Sequence, residues 1–316
     1  MNALEEFSGQ IEQRLAGTVV GLRELIAAVV ICVVARGHIL VEGPPGLGKT
    51  LLGKSLARTL AGRFSRIQGT ADLMPADVTG VHIFDETARK FALRPGPIFT
   101  EVLLIDEINR TGPRTQSALL EAMEERQVSI DRQTYRLPAE FVVIATQNPH
   151  EFEGTFPLPE SQLDRFMMRV DVTYPAADDE RSVLERYGTV AAATAAAGAS
   201  AVAAIDAPLL AAARACADAV HVAAQLRDYA LALAQASREH PQIALGLSTR
   251  GVLALLRAAR VAAGLRGADF VAPDDLKRVA SWVTAHRLTL TPEALLEGRT
   301  GRELVRTLLE RVPVPR

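Results

Sequence analysis

The stretch HILVEGPPGLGKTLLGK, residues 38–54, narrows the possible folds more than any other part of the chain. A short strand-type run leads into a glycine-rich turn, and a helix opens on Lys49 and Thr50. The turn fits G-x-x-x-x-G-K-[ST], with Gly43, Gly48, Lys49 and Thr50 at the fixed places. Glycines let the backbone fold tightly enough to aim its N–H groups at phosphate oxygens, and the following helix adds the positive end of its dipole. The lysine ammonium then reaches the β- and γ-phosphates, and the threonine hydroxyl ligates Mg²⁺. A chance glycine turn would not need a strand before it and a helix after it. A bound nucleoside triphosphate is therefore expected. Hydrolysis does not follow from the loop alone.

Four more strand-type runs alternate with helical patterns: RFSRIQ (63–68), VLLID (102–106), FVVIAT (141–146) and MMRVDVT (167–173). Apolar strands separated by helices predict an α/β fold, a five-stranded parallel sheet with helices on both faces. Two stretches do not fit a minimal sheet and read as inserted hairpins, one near 75–99 and one near 126–138 with its polar turn at Asp131–Gln133. The 316 residues exceed the roughly 100–200 of a single domain, so two domains are expected. Residues 188–206, GTVAAATAAAGASAVAAID, are low in complexity and read as the connector between a first domain, 1–187, and a second, 207–316. No strand is evident after the connector. Helical patterns at 207–222, 225–240, 249–264, 274–286 and 300–311 predict an all-α second domain.

The acidic end of VLLIDE carries the next piece of phosphate chemistry. The buried run leaves Asp106 and Glu107 at the C-terminal end of a strand, beside the glycine loop. Asp106 there can hold the Mg²⁺ shell, and Glu107 can orient or deprotonate an attacking water. In VIATQNP, Gln147 and Asn148 end another apolar strand. A neutral amide there can bond both a water and the γ-phosphate. Arg165, after the short helix PESQL, suits neutralisation of transition-state charge, although a plain salt bridge to Asp164 or elsewhere fits the sequence too. Arg250, opening the helix of 249–264, is a candidate contact from the second domain or an ordinary helix-start arginine.

Charge and cysteines exclude other classes. With 35 basic and 37 acidic residues the net charge is −2, which argues against a nucleic-acid binder that relies on bulk charge. The two cysteines, Cys32 and Cys216, sit in apolar helical stretches and read as small buried hydrophobes. The first residues, MNALEEFSGQIEQRL, are acidic and amphipathic rather than a secretion signal. LIAAVVICVVA (25–35) falls short of the roughly 18–20 residues that a membrane span needs. A cytoplasmic protein without membrane insertion is expected.

The full set of motifs resembles the AAA+ ATPases, and more narrowly the MoxR family. The likeness rests on VVG (19–21), VEGPPGLGKT, GTADLMPADVTG, the long run FALRPGPIFTEVLLIDEINRTGPRTQSALLEAMEERQVSID, then VIATQNPHEFEGTFPLPESQLDRFMMRV and LSTRGVLALLRAARVAAGLRGADFVAPDDL. The resemblance implies that Gly43, Pro44, Pro45, Gly46, Leu47, Gly48, Lys49 and Thr50 form Walker A. Leu51, Val20 and Gly21 would complete the ATP site, and Thr50 and Asp106 would hold Mg²⁺. Asp106 and Glu107 would be Walker B, Asn148 sensor 1, Arg165 an arginine finger and Arg250 sensor 2. In that clade the lid is repositioned, so the resemblance leaves open whose nucleotide Arg250 serves. The family further implies a homo-oligomeric ring, a hexamer favoured, acting as a chaperone-like ATPase on a client protein complex. A partner with a von Willebrand factor A-type domain is expected with it. Two alternatives stand beside this reading: a nucleic-acid motor of the helicase clade and a small-molecule kinase.

Overall fold

The structure, a computed structural model, describes residues 2–16, 19–87, 89–149, 154–189 and 205–315. All five expected strands form: β1 (Ile39–Glu42), β2 (Phe64–Gln68), β5 (Val102–Asp106), β8 (Val142–Gln147) and β9 (Met168–Asp171). They make one parallel sheet in the order β2-β5-β8-β1-β9. Alternation along each strand feeds two apolar layers. Ile39, Val41, Val102, Leu104, Ile144, Met168 and Val170 face one cluster, while Leu40, Leu103, Ile105, Val143 and Ala145 face the other. Burial on both faces explains why these strands read as continuous apolar runs.

Helix α1 (Ala3–Ala16) presents Leu4, Phe7, Ile11 and Leu15 as one fully buried stripe. Beyond it lie α2 (Arg23–Val34) and α3 (Lys49–Thr59), the latter starting at the glycine loop. α5 (Pro113–Glu125) covers the opposite face of the sheet. Both expected hairpins are present. The first opens with a helical turn, α4 (Pro75–Thr79), before β3 (Gly80–Asp85) and β4 (Lys90–Pro95). The second is β6 (Gln127–Ile130) and β7 (Gln133–Arg136), with Asp131 at φ +55° in the turn. His82 of β3 clasps the two together, its Nδ1 2.6 Å from Asp131 Oδ2 and its Nε2 2.8 Å from the Tyr135 hydroxyl.

α6 (Glu160–Leu163) precedes β9 and α7 (Ala177–Tyr187) follows it. Most of the expected connector, residues 190–204, lies outside the described residues. The C-terminal part is built from α8 (Ala207–Ala219), α9 (Ala224–Arg238), α10 (Thr249–Leu265), α11 (Pro273–Thr284), α12 (Pro292–Leu296) and α13 (Gly301–Arg311). It departs from the all-helical expectation in one place. β10 (Ile243–Leu245) and β11 (Thr289–Leu290) pair as a short antiparallel ribbon. Runs of three and two residues are too short to show alternation in sequence. α1 packs against α8 and α10, so one apolar cluster continues from the sheet into the helical part. A Cβ at Gly264 of α10 would stand 2.5 Å from Leu4 Cδ2, which fixes how closely these helices approach. Among the described residues no helix is long and apolar enough to cross a membrane.

Candidate active site

The C-terminal ends of the parallel strands converge on the glycine loop, where open α/β sheets place their ligands. Gly46 and Gly48 take φ +85° and +78°, so the loop turns through backbone that only glycine adopts without strain. Gly48 caps α3, which puts Lys49 and Thr50 in its first turn. Lys49 Nζ donates to the Gly43 carbonyl at 2.9 Å across the loop. Partial burial lowers its pKa, while Asp106 and Glu107 pull it back up.

Asp106 is the last residue of β5 and is buried. Its Oδ2 accepts from Thr50 Oγ1 at 3.4 Å and its Oδ1 from Thr146 Oγ1 at 3.3 Å. Glu107 follows at φ +59°, a left-handed conformation that is costly for a side-chain residue and recurs at functional corners. Its backbone N–H donates to Thr146 Oγ1 at 3.0 Å. A side chain at Gly69 would put its Cβ 2.1 Å from the Glu107 carbonyl oxygen, so β2 can exit past this corner only as glycine. A hydroxyl and a carboxylate converging beside the loop form a hard oxygen donor set. With phosphate oxygens they fit Mg²⁺, which commonly takes only one or two protein carboxylates.

Loop and acids line a polar cavity of about 330 Å³, with Asn148 on its wall. Gln147, the other expected amide, is committed elsewhere: its Nε2 donates to Glu42 Oε1 at 2.5 Å. Burial raises the pKa of Glu42, against the pull of Arg169. On the other side of the same loop lies a mainly apolar cavity of about 560 Å³. Val20, Pro45, Gly46, Leu47, Gly48 and Leu51 line it, together with Tyr174, Val183, Leu184 and Tyr187. Gly21 turns beside it at φ +79°, where a Cβ would meet Pro175 Cβ at 2.8 Å. Pro44 is half-buried within the loop. Pro45, Gly46, Gly48 and Leu51 belong to both cavities. One polar and one apolar lobe joined over a phosphate loop match the two ends of a nucleotide.

Arg165 and Arg250, the expected finger and sensor 2, line neither lobe of their own subunit. Arg165 precedes β9, and Arg250 is in the first turn of α10, whose N-cap Ser248 accepts from the Gly251 N–H. Both line a third cavity of about 500 Å³, with His38, Glu124, Asp164 and Arg287, that shares no lining residue with either nucleotide lobe. It opens at the N-terminal end of β1. Gly43 is at the other end, five residues or about 16 Å of strand away. Arg165 does not bond Asp164, the partner the sequence suggested. Its Nη2 is 3.3 Å from Glu124 Oε2, and Arg250 Nη2 is 2.8 Å from Glu124 Oε1. Asp164 is held by the buried Arg287, whose Nε lies 2.6 Å from Oδ1. Burial lowers the pKa of Arg287, and Asp164 opposes that.

Residues 38–168 match the family described as "ATPase family associated with various cellular activities (AAA)", and residues 235–308 match the AAA lid domain. The Chaperone MoxR1 of Mycobacterium tuberculosis is 38% identical over 306 residues, covering 94% of this chain and 79% of that protein. This chain belongs to the MoxR family of AAA+ ATPases. Another relative of this MoxR-family chain, the YeaC protein of Bacillus subtilis, is 40% identical over 99% of the chain and 96% of its own length. A crystal structure from Cytophaga hutchinsonii, assigned as an ATPase, superposes with a TM-score of 0.90 at 36% identity. It covers 99% of this chain and 97% of that one. The AAA+ sheet and C-terminal lid are thereby shared with known members.

Sequence reasoning missed Tyr174, Val183, Leu184, Tyr187, Arg66 and Gln68, which line the two lobes in this MoxR-family chain. Tyr174 and Tyr187 flank the apolar lobe, and Val183, Leu184 and Tyr187 fall at helical spacing along α7. Arg66 and Gln68 of β2 point into the polar lobe. Their signal was present in RFSRIQ, where Arg66 and Gln68 alternate with the buried Ile67.

Proposed function

We propose that the protein binds ATP and Mg²⁺ and hydrolyses the nucleotide only as a ring of identical subunits, using that turnover to remodel or mature a client protein complex. The carrying observation is the separation of the site into two halves: loop, Asp106 and Glu107 at one end of β1, Arg165 and Arg250 at the other. In this reading the adenine sits among Val20, Leu47, Leu51 and Tyr187, and the phosphates on the loop N–H groups and Lys49. Thr50 and Asp106 would hold Mg²⁺, which when bound neutralises charge on the β- and γ-phosphates. Glu107 takes the proton of the attacking water, and Asn148 orients that water against the γ-phosphate. Arg165 and Arg250 of one subunit reach the γ-phosphate held by the next, so Arg250 acts in trans. We take the domain organisation to be 1–187, 188–206 and 207–316, a hexamer as the ring, and the cytoplasm as its compartment.

The chaperone role rests on family membership and on a relative that bears that name. A von Willebrand factor A-type partner would belong with it. The nucleic-acid alternative is disfavoured by the net charge of −2. The kinase alternative leaves a separate arginine cavity without a use. Mixing Lys49→Ala and Arg165→Ala subunits tests the core of the proposal. Each is expected to be inactive alone. Partial recovery of ATPase activity on mixing supports a site shared between subunits. No recovery, with mixed rings shown by native mass spectrometry, counts against it. Affinity capture on Glu107→Gln loaded with ATP then identifies the client.

A further inference from the structure

Arg287 ends the 3₁₀ turn Ala285–Arg287, which follows α11 in the helical part. Its side chain is only 3% exposed and reaches across to the segment that carries Arg165. A guanidinium has five N–H donors, and each has an acceptor here. Nε donates to Asp164 Oδ1 at 2.6 Å. Nη2 donates to the Asp164 carbonyl at 3.0 Å and to the Phe166 carbonyl at 2.8 Å. Nη1 donates to the Met167 carbonyl at 3.2 Å and to the Val283 carbonyl. All but the last of these bonds end on residues 164–167, on either side of Arg165. Backbone N–H groups of the same segment bond within the sheet part: Phe166 donates to the Leu163 carbonyl and Met167 to the His38 carbonyl. The Arg165 side chain is 29% exposed and pairs with Glu124. The backbone around it is therefore gripped by a buried group, while the guanidinium at its middle stays reachable.

Burying a guanidinium is costly unless its donors are met, and a planar fork is the side chain suited to bridge a carboxylate and three carbonyls at once. Lysine has a charge but no fork. Asp164 Oδ2 also lies 3.6 Å from Arg250 Nε, so the helical part holds Asp164 through two arginines. We propose that Arg287 is a positioning residue for Arg165. It ties residues 164–167 to the helical part, so that Arg165 and Arg250 meet a neighbouring subunit's nucleotide as one rigid pair. Without it the segment keeps its N–H bonds to the sheet part but loses the partner of three carbonyls, and Arg165 rides on a looser backbone. Arg287 itself touches no substrate, and no covalent step is involved. The inference rests on the shared-site reading above and deepens it by naming what fixes the place of the finger.

The test asks which half of the shared site Arg287 serves. Arg287→Lys keeps the charge beside Asp164 and removes the fork. Turnover at saturating ATP should fall about 10²-fold, the cost of misplacing a reacting group by roughly 1 Å, with nucleotide affinity unchanged. Arg287→Gln, neutral and able to reach one carbonyl, repeats the measurement without burying an ammonium and guards against a folding artefact. Each variant is then mixed with Lys49→Ala subunits and, separately, with Arg165→Ala subunits. Activity should recover with Lys49→Ala, whose finger side is intact, and should not recover with Arg165→Ala, which lacks the same half. Parental turnover in both Arg287 variants overturns the proposal. Recovery with Arg165→Ala but not with Lys49→Ala overturns it too, because Arg287 would then serve its own subunit's nucleotide. So does recovery in neither mixture when native mass spectrometry shows mixed rings, which would mark a general structural role. The mixture of Lys49→Ala with Arg165→Ala is the reference. If that pair stays inactive, the shared-site reading has failed and this inference falls with it; if it recovers while the Arg287 variants do not, this inference falls alone.

Discussion

The two ends of β1 carry cavities of opposite construction. At the C-terminal end the ligand-facing groups are backbone N–H donors, one lysine, one arginine and two acids, held by glycines at positive φ. At the N-terminal end the charged groups of the wall are six arginines, Arg36, Arg126, Arg165, Arg250, Arg257 and Arg287, against Glu124 and Asp164. Arg126 is already spent on the Ala139 and Arg36 carbonyls, and Arg287 on Asp164. Arg165 and Arg250 instead share one half-exposed carboxylate, Glu124. In the proposed function the first cavity holds an anion with its counter-cation, and the second meets an anion brought by a neighbour. Neither is a complete phosphoryl-transfer site, which is why the subunit is expected to need its neighbour.

The largest effect should come from separating the two halves. Arg165→Ala should retain nucleotide binding and lose about 10³–10⁵ in turnover, the range for an arginine supplied in trans, measured as phosphate release at saturating ATP. A loss under tenfold would reduce Arg165 to a salt-bridge partner of Glu124 and dissolve the contrast between the cavities. Within the nucleotide cleft, Glu107→Gln should cost about 10²–10⁴, because an amide keeps the shape but accepts no proton. Parental turnover in that variant would move the base to another carboxylate.

A third prediction concerns acid. His38 forms the floor of the arginine cavity. Its Nε2 donates to the Met123 carbonyl at 3.0 Å, and its Nδ1 accepts from the Val143 N–H at 3.0 Å. Burial, and to a lesser degree the charge of Arg126, lower its pKa to about 4; the bond to Met123 opposes them. The unfolded chain therefore takes up a proton before the fold does. The stabilisation is whole above about pH 6.5 and is lost as pH falls toward 4, amounting to about 3 kcal/mol for this group. Urea midpoints at pH 7 and pH 5 should differ, and less so in His38→Gln. His286 is buried and lowered in the same direction, so part of the slope should survive. Amide exchange of Val143 should rise at pH 5 before that of Thr146, at the other end of β8.

The smallest effect is expected at Glu124. Replacing it by Gln releases Arg165, leaves Arg250 only its longer pair with Asp164 at 3.6 Å, and raises the positive potential of their cavity. The protein concentration at half-maximal ATPase activity should fall about threefold, the scale of one exposed ion pair. That gain should fade with added salt. A rise in that concentration would make Glu124 part of the contact itself rather than a counter-ion.

The sequence by itself determined everything that depends on contiguous backbone. The glycine loop, its strand and helix, Asp106 and Glu107 at a strand end, both hairpins and the five sheet strands were legible because each is a local pattern whose chemistry and spacing are set within a dozen residues. The ribbon β10–β11 escaped because two- and three-residue strands carry no period. What only the tertiary structure decided are pairings through space. Sheet order brings Arg66 and Gln68 beside the acids, although nearly forty residues separate them in sequence. The packing of the helical part against the sheet sets Arg250 beside Arg165 on Glu124, and lays α1 on α8 rather than on its sequence neighbours alone. The polarity of a parallel strand then puts those arginines at the end opposite the loop. No local pattern encodes that separation, because it arises from how buried faces stack once the whole chain has collapsed.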